Sequence, residues 1–292
     1  MNRRWLLALL STCVLQEDKQ TTSQFRNPFS EHTLQEIAAS LTLPLRQTPT
    51  LVVNTDNTYR LTAYKSEQEG VKDLRNLAQR ADREEVYVFL PEEERWIEIG
   101  YKESAIELQV TPRGEVYGKV TAACDPLLDT FMAQHKSLAI YHFHPRLFRE
   151  KVIALLKEHP PRKETLEDAI AFQQDNHVLP SSVDLYSMIT QSAKYYHQYH
   201  PDGEIVFNVV SAEGVTRYEI DSNLRENFSQ GDPQEVIGFA QTMGVVHVQV
   251  DRRELWKKNS QNLTSYIQSL NFLGVRMRYQ SFSDRDDAGQ AN

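Results

Sequence analysis

The sequence predicts an α+β protein, a mixed β-sheet flanked by helices. Short β-branched and aromatic runs bounded by turn residues alternate with stretches whose apolar residues recur at helical spacing. The 292 residues are 40% hydrophobic and 25% charged, which excludes a disordered, collagen-like or coiled-coil chain. That length suits one or two domains.

The chain opens on Arg3 and Arg4, then an apolar run over residues 5–10, then Ser11, Thr12 and Cys13. A basic start before an apolar stretch has the outline of a signal peptide, with Cys13 where a lipoprotein acceptor would stand. The run is too short to span a bilayer, which takes roughly 20 apolar residues, and it also reads as a first helix with one buried face. The helix reading goes with a cytoplasmic protein, the other with export or membrane anchoring through residues 1–15. A polar, turn-prone tether follows, so residues 1–26 form one unit. Residues 27–62 are an N-terminal extension. In it, 30–39 reads as a helix with Ser30 as N-cap and Leu34, Ile37 and Ala38 on one face. Residues 50–54 and 59–63 read as strands joined by the turn Thr55-Asp56-Asn57-Thr58.

The core covers residues 63–222. Val71, Leu74, Leu77 and Ala78 define a helix within 66–83. Strands follow over 85–90, 96–100, 105–110 and 115–120, the last two joined by Thr111-Pro112-Arg113-Gly114. Residues 125–134 read as a helix and 137–142, SLAIYH, as a buried strand that Pro145 ends. The stretch 146–180 carries helical pieces at 147–158 and 164–174, split by His159-Pro160-Pro161. Its mixed charges (Arg146, Arg149, Lys151 and Lys157 against Glu150, Glu158, Glu164 and Glu167, among others) mark a solvated helical hairpin. A helix over 182–196 precedes two strands, 204–210 and 215–220, joined by Ser211-Ala212-Glu213-Gly214. The C-terminal extension, 223–292, reads as helix from Asp232, strand 245–250, helix 259–270, strand 275–279 and an acidic frayed tail.

Charge and cysteine content narrow the chemistry. Lys and Arg number 32 against 40 Asp and Glu, a net charge of −8. With no basic run, the chain is ill-suited to neutralising a nucleic-acid backbone. Cys13 and Cys124 are its only cysteines, too few for a disulfide framework or a cysteine-only zinc site. Any metal must be held by His and carboxylate.

Two of the nine histidines stand apart. His142 and His144, in YHFHP, end an apolar strand, and residues i and i+2 of a strand face the same way. Two adjacent imidazoles suit Zn²⁺, although an H-x-H pair alone is also met as ordinary strand histidines. Farther on, Pro180-Ser181-Ser182-Val183-Asp184-Leu185 opens a helix. Ser181 and Asp184 form a capping-box-like pair. The same geometry would aim Asp184 at a strand end carrying two histidines. Two His and one carboxylate leave a fourth zinc position for water, as in catalytic sites.

His-x-His-Pro, then Ser-x-x-Asp at a helix start, then a strand hairpin, resembles the JAMM metalloprotease motif of the JAB/MPN domain. The phrase Ser181-Ser182-Val183-Asp184-Leu185 is close to that of the family's deubiquitinating members, and the order of elements agrees over roughly residues 63–221. The resemblance implies a JAB/MPN-like mixed sheet with cytidine-deaminase-like layering. It implies Zn²⁺ on His142, His144 and Asp184, with Ser181 hydrogen-bonding the oxyanion. It also implies a glutamate as general base on the first strand after the first helix. Glu85 is favoured because it begins that strand, with Glu84 next and Glu98 in WIEIG third. The small residues and glycine that usually follow the family's glutamate are absent. Residues 146–180 are an insertion relative to the family, placed to act as a lid or recognition element. Tyr186 stands where some deubiquitinases carry a further histidine, so a second zinc is not implied.

The leading expectation is a zinc-dependent metallopeptidase or isopeptidase acting on a protein or peptide, ubiquitin-like among them. The alternatives are a catalytically inactive JAB/MPN-fold binding module, or an unrelated α+β protein. His197 and His200, three apart, suit a helix C-terminus, where the dipole favours them. His247 in VVHVQV reads as a strand residue. Tyr195, Tyr196 and Tyr199 read as packing.

Overall fold

In the computed structural model the described residues are 50–53, 59–81, 84–101, 107–110, 116–119, 123–124, 127–162 and 164–283. The N-terminal apolar run, the tether, the helix expected over 30–39, the turn at 55–58 and the tail lie outside them.

β1 (Thr50–Val53) and β2 (Tyr59–Tyr64) pair antiparallel as expected. α1 (Glu67–Arg80) starts at Ser66, whose side chain and that of Glu69 each bond the other's backbone N–H, a capping box that satisfies two otherwise orphaned donors. Val71, Leu74 and Ala78 are its buried stripe. β3 (Val86–Leu90) and β4 (Arg95–Tyr101) follow, then β5 (Glu107–Val110), β6 (Val116–Lys119) and the short β7 (Ala123–Cys124). β5 and β6 form a separate two-stranded hairpin. α2 (Leu127–Gln134) leads to β8 (Ser137–Phe143). Residues 146–180 supply α3 (Arg146–Glu158) and α4 (Leu166–His177), and α5 (Ser182–Lys194) runs into a π-turn over Tyr195–Tyr199. The hairpin β9 (Glu204–Val210) and β10 (Gly214–Ile220) comes next. The C-terminal extension gives α6 (Ser222–Gln230), α7 (Pro233–Val248), α8 (Arg252–Lys258), α9 (Leu263–Leu270) and β11 (Val275–Ser281).

The main sheet has the order β1-β2-β4-β3-β8-β9-β10-β11, with β7 also on β4. β8 and β9 are parallel and the other pairs antiparallel, so the protein is α+β with a mixed sheet. Strand alternation divides the core in two. Tyr87, Phe89, Trp96, Ala139, Tyr141 and Phe143 pack on one face against Val71, Leu74 and Ala78 of α1. A Cβ on Gly70 would fall 2.0 Å from the Trp96 ring, so only glycine lets α1 lie this close. On the other face, Val86, Val88, Leu138, Ile140, Phe207 and Val209 meet α2, α5 and α7. Tyr195 and Tyr196 are buried in that core, the packing role expected of them.

The C-terminal extension departs from expectation. Residues 245–250 do not form a strand, because Val245 to Val248 complete α7. Their β-branched side chains suggest a strand, but α7 lies along α5 and packing overrides a weak local preference. Gly244 permits the contact, since a Cβ there would meet Tyr186 at 2.4 Å. α6 was not anticipated, although Leu224 and Phe228 are its buried pair and Asp221 its cap. The helix expected over 259–270 is shorter and preceded by α8. Ser260 and Gln261, at φ of 54° and 56°, break it in the left-handed region. β11 pairs with β10 over seven residues, so the extension completes the sheet. Among the described residues no helix is long and apolar enough to cross a membrane.

Candidate metal centre

The register of the sheet sets the first two ligands. Leu138 and Ile140 of β8 belong to the larger core, so His142 and His144 continue on that face by alternation. The His144 N–H donates to Val210 O at 2.9 Å, which carries pairing with β9 one residue past β8. The third ligand comes from the first turn of α5. There the Ser181 N–H donates to Asp184 Oδ2 at 2.6 Å, and the Asp184 N–H donates to Ser181 Oγ at 3.1 Å. This reciprocal box fixes the carboxylate over the strand end. Ser181 accepts through its oxygen and keeps its own O–H as a donor.

The three side chains converge. His142 Nε2 lies 3.3 Å from His144 Nε2 and 3.5 Å from Asp184 Oδ2, and His144 Nε2 lies 3.9 Å from the same oxygen. Atoms bound to zinc at about 2.0–2.1 Å stand about 3.3 Å apart in a tetrahedron, so the group needs only small adjustments to hold a metal ion. His142, His144 and Asp184 are the group among the described residues with that capacity. His144 Nδ1 lies 2.7 Å from the carbonyl of His177. Donation there places the proton on Nδ1 and leaves Nε2 as a lone-pair ligand, the supporting bond that ligating histidines make. The Asp184 side chain is 27% exposed against 9% for His142, so the centre opens to solvent on the α5 side.

Electrostatics follows from this crowding. At His142 burial pulls the pKa down, but the Asp184 carboxylate, by charge and hydrogen bond, and Glu84 outweigh it and raise it. Burial, then the neighbouring His142, push His144 down to about 4. Burial opposes ionisation of Asp184, yet His142, His144 and the Ser181 bond hold its carboxyl well below the usual range. Two imidazoles and a carboxylate thus share one small space in which the charge of each sets the protonation of the others.

The three candidate glutamates lie on different faces of the sheet. Glu85 lies on the opposite face, where its carboxylate accepts from the Tyr87 hydroxyl at 2.7 Å. Tyr87 packs in the α1-side core. Glu98 pairs across with Tyr87 and shares that face. Glu84 is on the metal side: Val86 pairs with His142, so two residues earlier the strand reaches His144. Glu84 Oε1 lies 4.0 Å from His144 Nε2. A shift of one residue along a strand reverses every side chain, and that parity separates the two glutamates.

His197, His200 and His247 are not part of the centre. His197 Nδ1 lies 3.3 Å from Phe228 O, and His200 caps the π-turn with its ring against Tyr195. His247 is helical, not in a strand. It is buried and stacked on Phe272 at 4.2 Å, with neither ring nitrogen hydrogen-bonded. The His177 carbonyl, which holds the His144 ring, is main chain and leaves no trace in residue type.

Residues 146–180 are held in place by packing and by polar bonds. α3 and α4 share a small core of Val152, Leu156 and Ala169, and α4 is tied to the C-terminal extension. Trp256 Nε1 donates to Asp175 Oδ2 at 2.8 Å, and Glu164 pairs with Arg253 at 3.0 Å and Lys257 at 3.6 Å. No family model matches the chain, and neither the curated proteins nor the solved structures contain a match to it.

Proposed function

We propose that the chain is a zinc-dependent metallopeptidase or isopeptidase of the JAB/MPN type, which hydrolyses a peptide or isopeptide bond of a protein or peptide substrate, ubiquitin-like among them. The observation that carries the reading is the convergence of His142, His144 and Asp184 within 4.8 Å, open to solvent and flanked by Glu84. The mixed sheet with the His-x-His strand beside the strand that Glu84 precedes, and the Ser-x-x-Asp cap facing them, is the arrangement that the sequence resemblance implies. The neutral imidazole and carboxylate donors suit Zn²⁺.

Zn²⁺ held there supplies Lewis acidity and lowers the pKa of water to about 7. Glu84, not Glu85, is the carboxylate placed to take a proton from the attacking water. It returns that proton to the leaving amine as the C–N bond breaks. The Ser181 hydroxyl, anchored by its cap to Asp184, donates to the oxygen that becomes negative as water adds to the carbonyl. His177 acts through its carbonyl, which keeps the His144 ring in one tautomer and orientation.

The test begins with untagged protein and its metal content. Wild type is expected to carry about one zinc per chain, and cleavage of a ubiquitin-like fusion or of short peptides is expected to fall about 10²–10⁴-fold in Glu84→Gln. Glu84→Gln should retain its metal, and Glu85→Gln should stay near wild type. A wild type without stoichiometric metal would overturn the enzyme reading. Metal without cleavage of either substrate would make the chain a binding module.

A further inference from the structure

The connection from α4 to α5 serves the candidate centre at two points. The His177 carbonyl anchors His144, and Ser181 caps the turn that presents Asp184. They lie at the two ends of the short connection that follows α4. One core strand reaches it, where the Thr216 hydroxyl of β10 donates to Val178 O at 2.5 Å, and its other anchors come from the C-terminal extension. Arg252 Nη1 donates to Pro180 O at 2.6 Å and lies 3.3 Å from Asn176 Oδ1. The Tyr266 hydroxyl donates to the same Asn176 oxygen at 3.0 Å, and Trp256 Nε1 donates to Asp175 at 2.8 Å. Trp256 and Tyr266 are fully buried and Arg252 is 9% exposed.

Burying a guanidinium is costly unless its charge is matched, yet no carboxylate pairs directly with Arg252 among the described residues. Its Nη1 bridges acceptors at the two ends of one turn, while Nη2 is buried without a hydrogen-bond partner. Its charge acts across the gap on Asp184.

We infer that Arg252 is a positioning residue of the metal centre: by bridging Asn176 and Pro180 it sets the turn that fixes both the His144 ring and the Asp184 carboxylate. The inference rests on the metal reading above. It makes the C-terminal extension part of the site, although among its described residues none hydrogen-bonds or ion-pairs with His142, His144 or Asp184. It also fixes the sign of an experiment. A positive charge near Asp184 opposes a cation, so a purely electrostatic role predicts tighter metal binding once Arg252 is removed. A positioning role predicts weaker binding.

The experiment measures Zn²⁺ affinity by chelator competition, and the ligand-field spectrum of the Co²⁺-loaded protein, in wild type, Arg252→Met, Arg252→Lys and Tyr266→Phe. Arg252→Met is expected to bind Zn²⁺ about 10–100-fold more weakly, the usual effect of losing a supporting bond behind a ligand, with altered Co²⁺ bands. Arg252→Lys, which keeps one donor for Pro180, should recover part of the affinity. Tyr266→Phe should show a smaller loss in the same direction. Wild-type or tighter affinity in Arg252→Met, with zinc stoichiometric in wild type, overturns this inference alone. Absence of metal from wild type overturns the metal reading beneath it. Should Arg252→Met fail to fold, unchanged affinity in both Arg252→Lys and Tyr266→Phe overturns the positioning role.

Discussion

Two buried histidine settings in this molecule differ in what surrounds the ring. At the end of β8, His142 and His144 point their nitrogens at one another and at Asp184 within 3.3–3.9 Å. In α7, His247 is 1% exposed and stacked on Phe272, with neither nitrogen partnered. Both settings depress a histidine to about 4, and burial is the leading cause in each. A shifted pKa therefore does not separate a site from a packed ring here. Convergence of donors does: one cluster encloses a point where a cation fits, whereas the other is a polar group tolerated in a core.

The largest expected effect separates the two settings directly. His142→Ala should lose stoichiometric metal altogether, while His247→Leu should bind as wild type does, with metal content of untagged protein as the readout. Chelation should then lower the melting temperature of wild type and leave His142→Ala unmoved. A ligand at 1,000 times its Kd stabilises by about 4 kcal/mol. Equal metal content in the two variants would erase the distinction.

The next effect is smaller and belongs to His247. Above about pH 6.5 its ring is neutral whether the chain is folded or not. Below that, the unfolded ring takes a proton that the folded ring refuses until about pH 4. Stability should therefore fall as pH drops from 6.5 to 4, by at most about 3 kcal/mol from this residue. In His247→Leu that portion of the slope should disappear, as followed by denaturant unfolding across the window. Stability at pH 7–8 should hold or rise, because two unsatisfied nitrogens leave the core.

The smallest effect compares the two capping boxes. Ser66→Ala, at α1, and Ser181→Ala, at α5, should each cost about 1 kcal/mol in unfolding. Only Ser181→Ala should also reduce cleavage, because only that hydroxyl faces the candidate centre. Equal activity in the two variants would reduce Ser181 to its cap.

The parts of the site legible in the sequence were those that local periodicity controls. SLAIYHFHP has a two-residue repeat, so His142 and His144 had to share a face once the strand was recognised. Ser181 and Asp184 are three apart at a helix start, and the cap alone orients the carboxylate. The choice between Glu84 and Glu85 was not legible, because it turns on a parity that only pairing with β8 reveals. The end of α7 reads as a strand for a related reason: GVVHVQV carries strand-like residues, and only contact with α5 decides for helix. The same contact between distant segments hid Arg252, whose partners lie at Asn176 and Pro180.

The parallel pairing of β8 with β9 has a last consequence. Antiparallel strands can be joined by a tight turn, but parallel ones need a long crossover. Here it runs from residue 144 to residue 203 and includes α3, α4 and α5. His142 and His144 sit where that crossover departs, and Asp184 sits within it. A metal shared by the three would act as a crosslink that closes a loop from residue 144 to residue 184. A covalent link over such a loop restricts the unfolded chain by about 4 kcal/mol. Occupancy would then lock the crossover and slow the opening of the sheet at its parallel seam.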